Sequence, residues 1–101
     1  MRKPIACALD AGTAHDQLAE WERTLDGAVE ARVRSDAGTL ELQLRAGADV
    51  GAIASLAQRE VACCPFFEFA LRIRAGGATF VVTVPIEAAA ILDDFARPDR
   101  P

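Results

Sequence analysis

One stretch decides how this chain folds, the run Glu60-Val61-Ala62-Cys63-Cys64-Pro65-Phe66-Phe67-Glu68-Phe69-Ala70-Leu71. Before Pro65 the apolar residues recur at helical spacing, whereas after it they alternate with other residues, as in a strand with one face in water. Pro65 separates the two patterns because proline disfavours helical geometry in the residue before it. We therefore predict a helix that is capped by Asp49 and ends at about residue 64, followed directly by a strand.

Apolar spacing extends both predicted elements. The buried stripe of the helix is expected to comprise Val50, Ile53, Leu56, Ala57 and Val61. In the strand, Phe67, Phe69, Leu71 and Ile73 alternate with Glu68, Ala70, Arg72 and Arg74. A Gly76-Gly77 turn leads into a return strand over residues 79–84, which Pro85 ends, and residues 87–95 read as a last helix.

The first half of the chain shows the same kind of pattern. Residues 4–9 are predicted to form a short strand, and residues 14–27 a helix with Trp21 and Leu25 on its apolar face. Two alternating runs, residues 29–35 and 39–45, flank an Asp36-Ala37-Gly38 turn and predict a β-hairpin. In its first strand we expect Val29, Ala31 and Val33 to face the core, and Glu30, Arg32 and Arg34 to face water.

The predicted order is therefore β-α-β-β-α-β-β-α. It favours a single α+β domain over residues 1–101, with one mostly antiparallel sheet and helices packed on one face. The last residues, 97–101, resemble a disordered tail.

Composition narrows the classes of function. The chain has 101 residues and a formal net charge of −4, which argues against direct binding of nucleic acid, because such binding needs clustered positive charge. No segment has the length of a signal peptide core or a membrane span, so we expect a cytoplasmic protein with no membrane partner. In a reducing compartment, the three cysteines are read as thiols, metal ligands or redox groups rather than as a disulfide framework.

The adjacent pair Cys63 and Cys64 is the most distinctive chemical feature. Two neighbouring thiolates can hold one soft metal or metalloid ion of the Hg, As, Cu or Zn type. Cys7, on the first predicted strand, is a candidate third ligand, and Glu60, four residues before Cys64, is a weaker candidate. An ordinary four-ligand zinc site is not expected, because the cysteine spacing is wrong and the chain has a single histidine, His15.

Other interpretations remain open beside this one. The pair can act as a redox switch or a cysteine-dependent enzyme, in which one thiol is oxidised and the other resolves it. Alternatively, the cysteines only pack, as small buried hydrophobes, in a structural or partner-binding domain. We expect Glu60 to be a solvated helix residue or the ion-pair partner of an arginine. A homodimer through an exposed sheet edge, or another protein partner, fits the pattern because hairpins leave strand edges open.

Two motifs carry a resemblance to a known family. The chain opens with Ile5-Ala6-Cys7-Ala8-Leu9 and carries Glu60-Val61-Ala62-Cys63-Cys64-Pro65-Phe66. With these motifs it resembles small bacterial proteins that share an Ile-x-Cys-x-Leu start and a Glu-x-x-Cys-Cys-Pro-Phe turn. Similar segments are fused behind the DNA-binding domain of MerR-type regulators, whose effectors include mercury and other thiophilic ions. The resemblance implies a sensor-like or carrier-like effector domain, without a DNA-binding helix-turn-helix of its own.

Overall fold

The computed structural model of the protein describes residues 19–94. Helix α1 occupies residues 19–25 of this part. It is followed by β1 (Val29–Asp36), β2 (Thr39–Leu44), α2 (Val50–Cys63), β3 (Glu68–Arg74), β4 (Gly77–Thr83), a short 3₁₀ helix (Ile86–Ala88) and α3 (Ile91–Asp94). The predicted first strand, residues 4–9, and the predicted tail, residues 97–101, lie outside the described residues.

The four described strands form one antiparallel sheet in the order β1-β2-β4-β3. Both predicted hairpins are present, and their turns use the expected residues. In the first turn the Asp36 carboxylate accepts a hydrogen bond of 2.9 Å from the Gly38 amide. In the second, Gly76 and Gly77 have φ of 98° and 154°, which favour glycine. The sequence prediction of an α+β domain with one antiparallel sheet is therefore confirmed.

The core lies between one face of this sheet and the helices. Residues directly opposite each other in antiparallel strands share a face, so Leu42, Phe80 and Leu71, which are aligned across three strands, point the same way. Helix α2 covers this face with Ile53 and Leu56, which are almost fully buried. None of the helices in residues 19–94 has the length and apolar character that a membrane span requires.

The buried stripe of α2 differs from the prediction at its C-terminal end. Val61 was expected to be buried, but it is 39% exposed. The buried positions are instead Glu60 and Cys64, which continue the spacing set by Ile53, Leu56 and Ala57. The sequence prediction chose Val61 because it is hydrophobic, whereas the helical periodicity places the neighbouring Glu60 on the buried face.

In strand β1 the side chains that face the core differ from those predicted for the first hairpin. Its register with β2 shifts between Val29 and Ala31, where β1 carries one extra residue. This β-bulge reverses which side chains face the core in the rest of the strand. Arg32 and Arg34 lie opposite the buried Leu42 and Leu40, while Val33 is 43% exposed.

The predicted helix over residues 87–95 is interrupted, and the two arginines of β1 contact its carbonyl groups. The Arg34 guanidinium donates to the Ala89 carbonyl at 3.0 Å and pairs with the Asp93 carboxylate at 2.7 Å. The Arg32 guanidinium donates to the Leu92 carbonyl. Backbone bonds from Ala88 to Pro85 and from Leu92 to Ala89 span three residues, as in 3₁₀ turns. The segment therefore forms two short helical pieces that β1 holds by their carbonyl groups.

Gly38 provides a test of the tight packing between the first turn and the end of β4. A Cβ atom at this position would lie 2.6 Å from the Val84 carbonyl oxygen. Because that neighbour is backbone, we expect Gly38→Ala to lower the free energy of unfolding by about 1–3 kcal/mol, measured by urea denaturation.

The matched control is Gly51→Ala in helix α2, where a Cβ would make ordinary contact with Asp49 at 3.5 Å. Alanine is favoured over glycine in a helix by about 1 kcal/mol, so this variant should be more stable than the wild type. Equal stabilities for the two variants would contradict the close approach at Gly38.

Candidate thiol site at the end of helix α2

Local sequence places the two cysteines at the boundary between helix and strand. Helix α2 begins with the predicted cap, because the Asp49 carboxylate accepts a hydrogen bond from the Ala52 amide at 3.0 Å. At the other end Cys63 is the last helical residue and Cys64 is the C-cap, with φ −127° and ψ 81°. The Cys64 amide still donates to the Glu60 carbonyl at 2.7 Å. Pro65, which lacks an amide proton, then directs the chain into β3.

The two adjacent thiol positions have different environments. Cys64 is 1% exposed and belongs to the hydrophobic core. Its sulfur is engaged in a disulfide, whereas Cys63 is a free, half-buried cysteine. The predicted third sulfur, Cys7, lies outside the described residues, and its role as a ligand stays a prediction.

Glu60 is not the solvated helix residue that the sequence suggested. It is 7% exposed, and its Oε1 accepts a hydrogen bond of 2.7 Å from Trp21 Nε1. A carboxylate can be buried at modest cost when donors are arranged around it. The bond also joins α1 to α2, one turn before Cys64. The available sequence signal was the helical phase, which places Glu60 on the same face as Leu56 and Cys64.

An ion pair lies on the outer side of the same two helices. The Arg59 guanidinium donates to the Glu20 carboxylate at 2.6 Å. This hydrogen bond lowers the pKa of Glu20 and raises the pKa of Arg59. Cys63, four residues further along α2, makes a smaller electrostatic contribution that also raises the Arg59 pKa. A cationic group therefore lies within electrostatic reach of the free cysteine.

Aromatic rings extend from the cysteine turn into the core. Ring centroids are 4.7 Å apart for Phe66 and Phe67, 5.2 Å for Phe67 and Phe69, and 5.3 Å for Phe69 and Phe80. Trp21 stacks on Phe80 at 5.8 Å. Trp21, Phe67 and Phe80 belong to the buried core, and Phe66 and Phe69 are partly buried against it, so these rings make the surroundings of Cys64 apolar.

The part of the chain that the structure describes offers few grouped metal ligands. Within residues 19–94, no three His, Cys, Asp or Glu side chains are grouped so as to hold a metal ion. Two adjacent sulfur atoms remain, and one of them must first leave its disulfide. The carboxylate of Glu60, the weaker ligand candidate, already accepts a hydrogen bond from Trp21. A four-coordinate zinc centre does not fit this donor set, whereas a soft ion that accepts two or three sulfur ligands fits its reduced form.

Comparison with known proteins gives no further assignment, because no family model, curated protein or solved structure matches this chain. The resemblance to small bacterial proteins and MerR-linked segments stays a prediction.

Trp21→Phe tests the buried contact beneath the cysteines. It keeps an aromatic ring in the core but removes the indole N–H that bonds Glu60. We expect the free energy of unfolding to fall by about 1–3 kcal/mol, because a buried acceptor loses a donor. Urea denaturation followed by circular dichroism measures the change.

Two further variants control this test. Glu60→Gln, with Trp21 intact, keeps an oxygen acceptor for the indole and should therefore cost less stability than Trp21→Phe. Arg59→Ala removes an exposed ion pair and should leave stability almost unchanged, since such pairs contribute little. A Trp21→Phe protein as stable as the wild type would show that the bond does not stabilise the fold.

Proposed function

We propose that this protein is a thiol-based redox switch, in which Cys64 alternates between a buried disulfide and a thiol while Cys63 acts as the exchanging thiol. The observation that carries the proposal is the difference between two adjacent cysteines, one disulfide-bonded in the core and one free at its border.

The chemistry needs a partner of ordinary type, a small dithiol or a dithiol protein. Its thiolate attacks the Cys64 disulfide, and its second thiol completes the exchange. The S–S bond of the protein breaks, two thiols form with the two electrons and two protons supplied, and the dithiol becomes its own disulfide. Oxidation by a small disulfide reverses each of these changes.

Cys63 provides a second route within the chain. Its thiolate can attack the sulfur bonded to Cys64, forming a new disulfide and releasing Cys64 as a thiolate. This exchange changes neither the number of disulfides nor the number of electrons. The Arg59 guanidinium lies one helical turn earlier, where it is paired with Glu20.

Burial of Cys64 gives the switch a structural consequence. The sulfur belongs to the same core cluster as Leu56 and Phe67, so a reductant reaches it only when the end of α2 opens locally. Reduction therefore loosens this end of the core, while the Trp21–Glu60 bond holds the preceding turn. The change is local to the turn that connects α2 to β3.

Capture of a soft metal or metalloid ion is a second candidate, favoured by the adjacency of Cys63 and Cys64. When both are thiols, their sulfur atoms lie next to one another at the last helical residue and the C-cap. Phe66 and Phe67 make the surroundings apolar, which strengthens sulfur–ion bonds by excluding water. The predicted cytoplasmic location would supply the reduced form.

Counting thiols tests the switch. In the oxidised protein under native conditions, iodoacetamide should modify Cys63 but not Cys64, and peptide mapping without reduction should recover Cys64 in a disulfide-linked pair of peptides. Reduction in denaturant should make all three cysteines of the chain reactive. Cys63→Ser should lose the native modification yet keep the disulfide.

The midpoint potential separates a switch from a structural bond. A switch is expected between about −200 and −300 mV, within reach of glutathione and thioredoxin couples, whereas structural disulfides lie lower. A potential well below about −300 mV, or three free thiols after equilibration with oxidised glutathione, would overturn the switch.

Titration with arsenite tests the second candidate. Native mass spectrometry should detect one arsenic per reduced chain and none on the oxidised chain. Cys63→Ser and Cys64→Ser should each abolish the tight complex, Glu60→Gln should retain it, and Cys7→Ser reports whether a third sulfur contributes. Absence of stoichiometric uptake by the reduced wild type would exclude ion capture and leave the switch intact.

A further inference from the structure

Strand β3 borders the described sheet and leaves apolar surface uncovered. Ile73 on this strand is 68% exposed and Val61 on α2 is 39% exposed. Between the helix and the strand lies a groove of about 560 Å³, whose lining includes Ala54, Ala57, Val61, Phe69 and Leu71. Exposed apolar surface beside a strand edge is typical of an interaction site.

We propose that a second copy of this chain occupies this surface, through antiparallel pairing of β3 with β3 of the second copy. A two-fold axis perpendicular to the sheet would pass through Leu71, the central residue of the strand. The result joins the four described strands of each copy into one continuous sheet, with α2 of both copies on the same side. This interaction is independent of the proposed thiol chemistry.

The sequence of β3 is complementary to itself in this arrangement. Pairing with β4 shows that Phe69, Leu71 and Ile73 share the core face, because they lie opposite Val82, Phe80 and Ala78. Around the axis, Phe69 of one copy lies opposite Ile73 of the other, and Leu71 lies opposite Leu71. The most exposed large apolar side chain of the strand is thereby covered by an aromatic ring.

Charges on the opposite face match in the same register. Glu68 and Arg74 are both exposed, and each lies opposite the other residue in the second copy. The dimer therefore contains two cross-strand pairs of opposite charge, which stabilise antiparallel strands. Ala70, a small residue, lies opposite Arg72 and leaves room for its long side chain.

Neighbouring registers are less favourable. An axis through Arg72 places this arginine opposite its own copy, which is repulsive. An axis through Ala70 leaves Arg74 and its exposed neighbour Ile73 beyond the paired region. Only the axis through Leu71 pairs all seven residues of β3 (Glu68–Arg74) with matching faces and charges.

The groove fits the same partner. On the core side of the joined strands, the two α2 helices would face each other across the axis. Ala54, Ala57 and Ala62 line this side of the helix, and small side chains allow close approach of a second helix. The groove of each copy would thus continue into the other and bury Val61 and Ile73 together.

Exchange of charges tests the register. Sedimentation equilibrium of the full chain over a range of concentrations gives the dimer dissociation constant. Glu68→Arg and Arg74→Glu should each raise it about tenfold or more, because both cross-strand pairs become repulsive. The double variant Glu68→Arg/Arg74→Glu should dimerise like the wild type, and an equimolar mixture of the two single variants should form a heterodimer.

Glu30→Arg on β1, at the other border of the sheet, makes the same change in charge and should leave the dimer unaffected. Ile73→Lys should weaken it by placing a charge opposite Phe69 of the second copy. A monomeric wild type at all concentrations, or a dimer insensitive to both single reversals, would overturn the proposal. Loss of dimer in the single variants without recovery in their mixture would contradict this register.

Discussion

The hydrogen bond from Trp21 to Glu60 fixes the relation between the two helices on which the rest of the site depends. A buried carboxylate is costly to leave without donors, so the indole determines where this turn of α2 can lie against α1. Cys64 follows on the same helical face and enters the core as a result. Trp21 also stacks on Phe80 of the central strand β4, so one side chain joins α1, α2 and the sheet.

The different environments of Cys63 and Cys64 follow from the end of the helix. Residues one position apart on a helix point about 100° away from each other. The turn at Pro65 ends the helix before a further residue can cover Cys63. Adjacent cysteines with nearly the same sequence context therefore obtain one buried and one accessible sulfur. The proposed thiol exchange makes use of this unequal access.

Most of the described fold was predictable because the periodicity of the apolar residues and the residues at the turns indicate the same helices and strands. The cap at Asp49, the break at Pro65 and both hairpin turns are local features, which a sequence displays directly. The β-bulge in β1 was not predictable. The sequence still alternates between apolar and polar residues, although the extra residue exchanges which of them face the core. The same holds for Glu60, where a distant indole compensates a charge that local sequence would assign to solvent. At the site, the sequence identified Cys63 and Cys64 but could not distinguish their environments.

The irregular register of β1 has a consequence for assembly. Its pairing with β2 shifts at two places, between Val29 and Ala31 and between Arg34 and Asp36, so this border offers a poor template for another strand. A sheet with two regular borders can add chains end to end and grow into a filament. Among the strands of residues 19–94, β3 is the one border with a regular register, and pairing of β3 with β3 closes after a single further copy. Within this described sheet, the bulge therefore disfavours open-ended growth through β1.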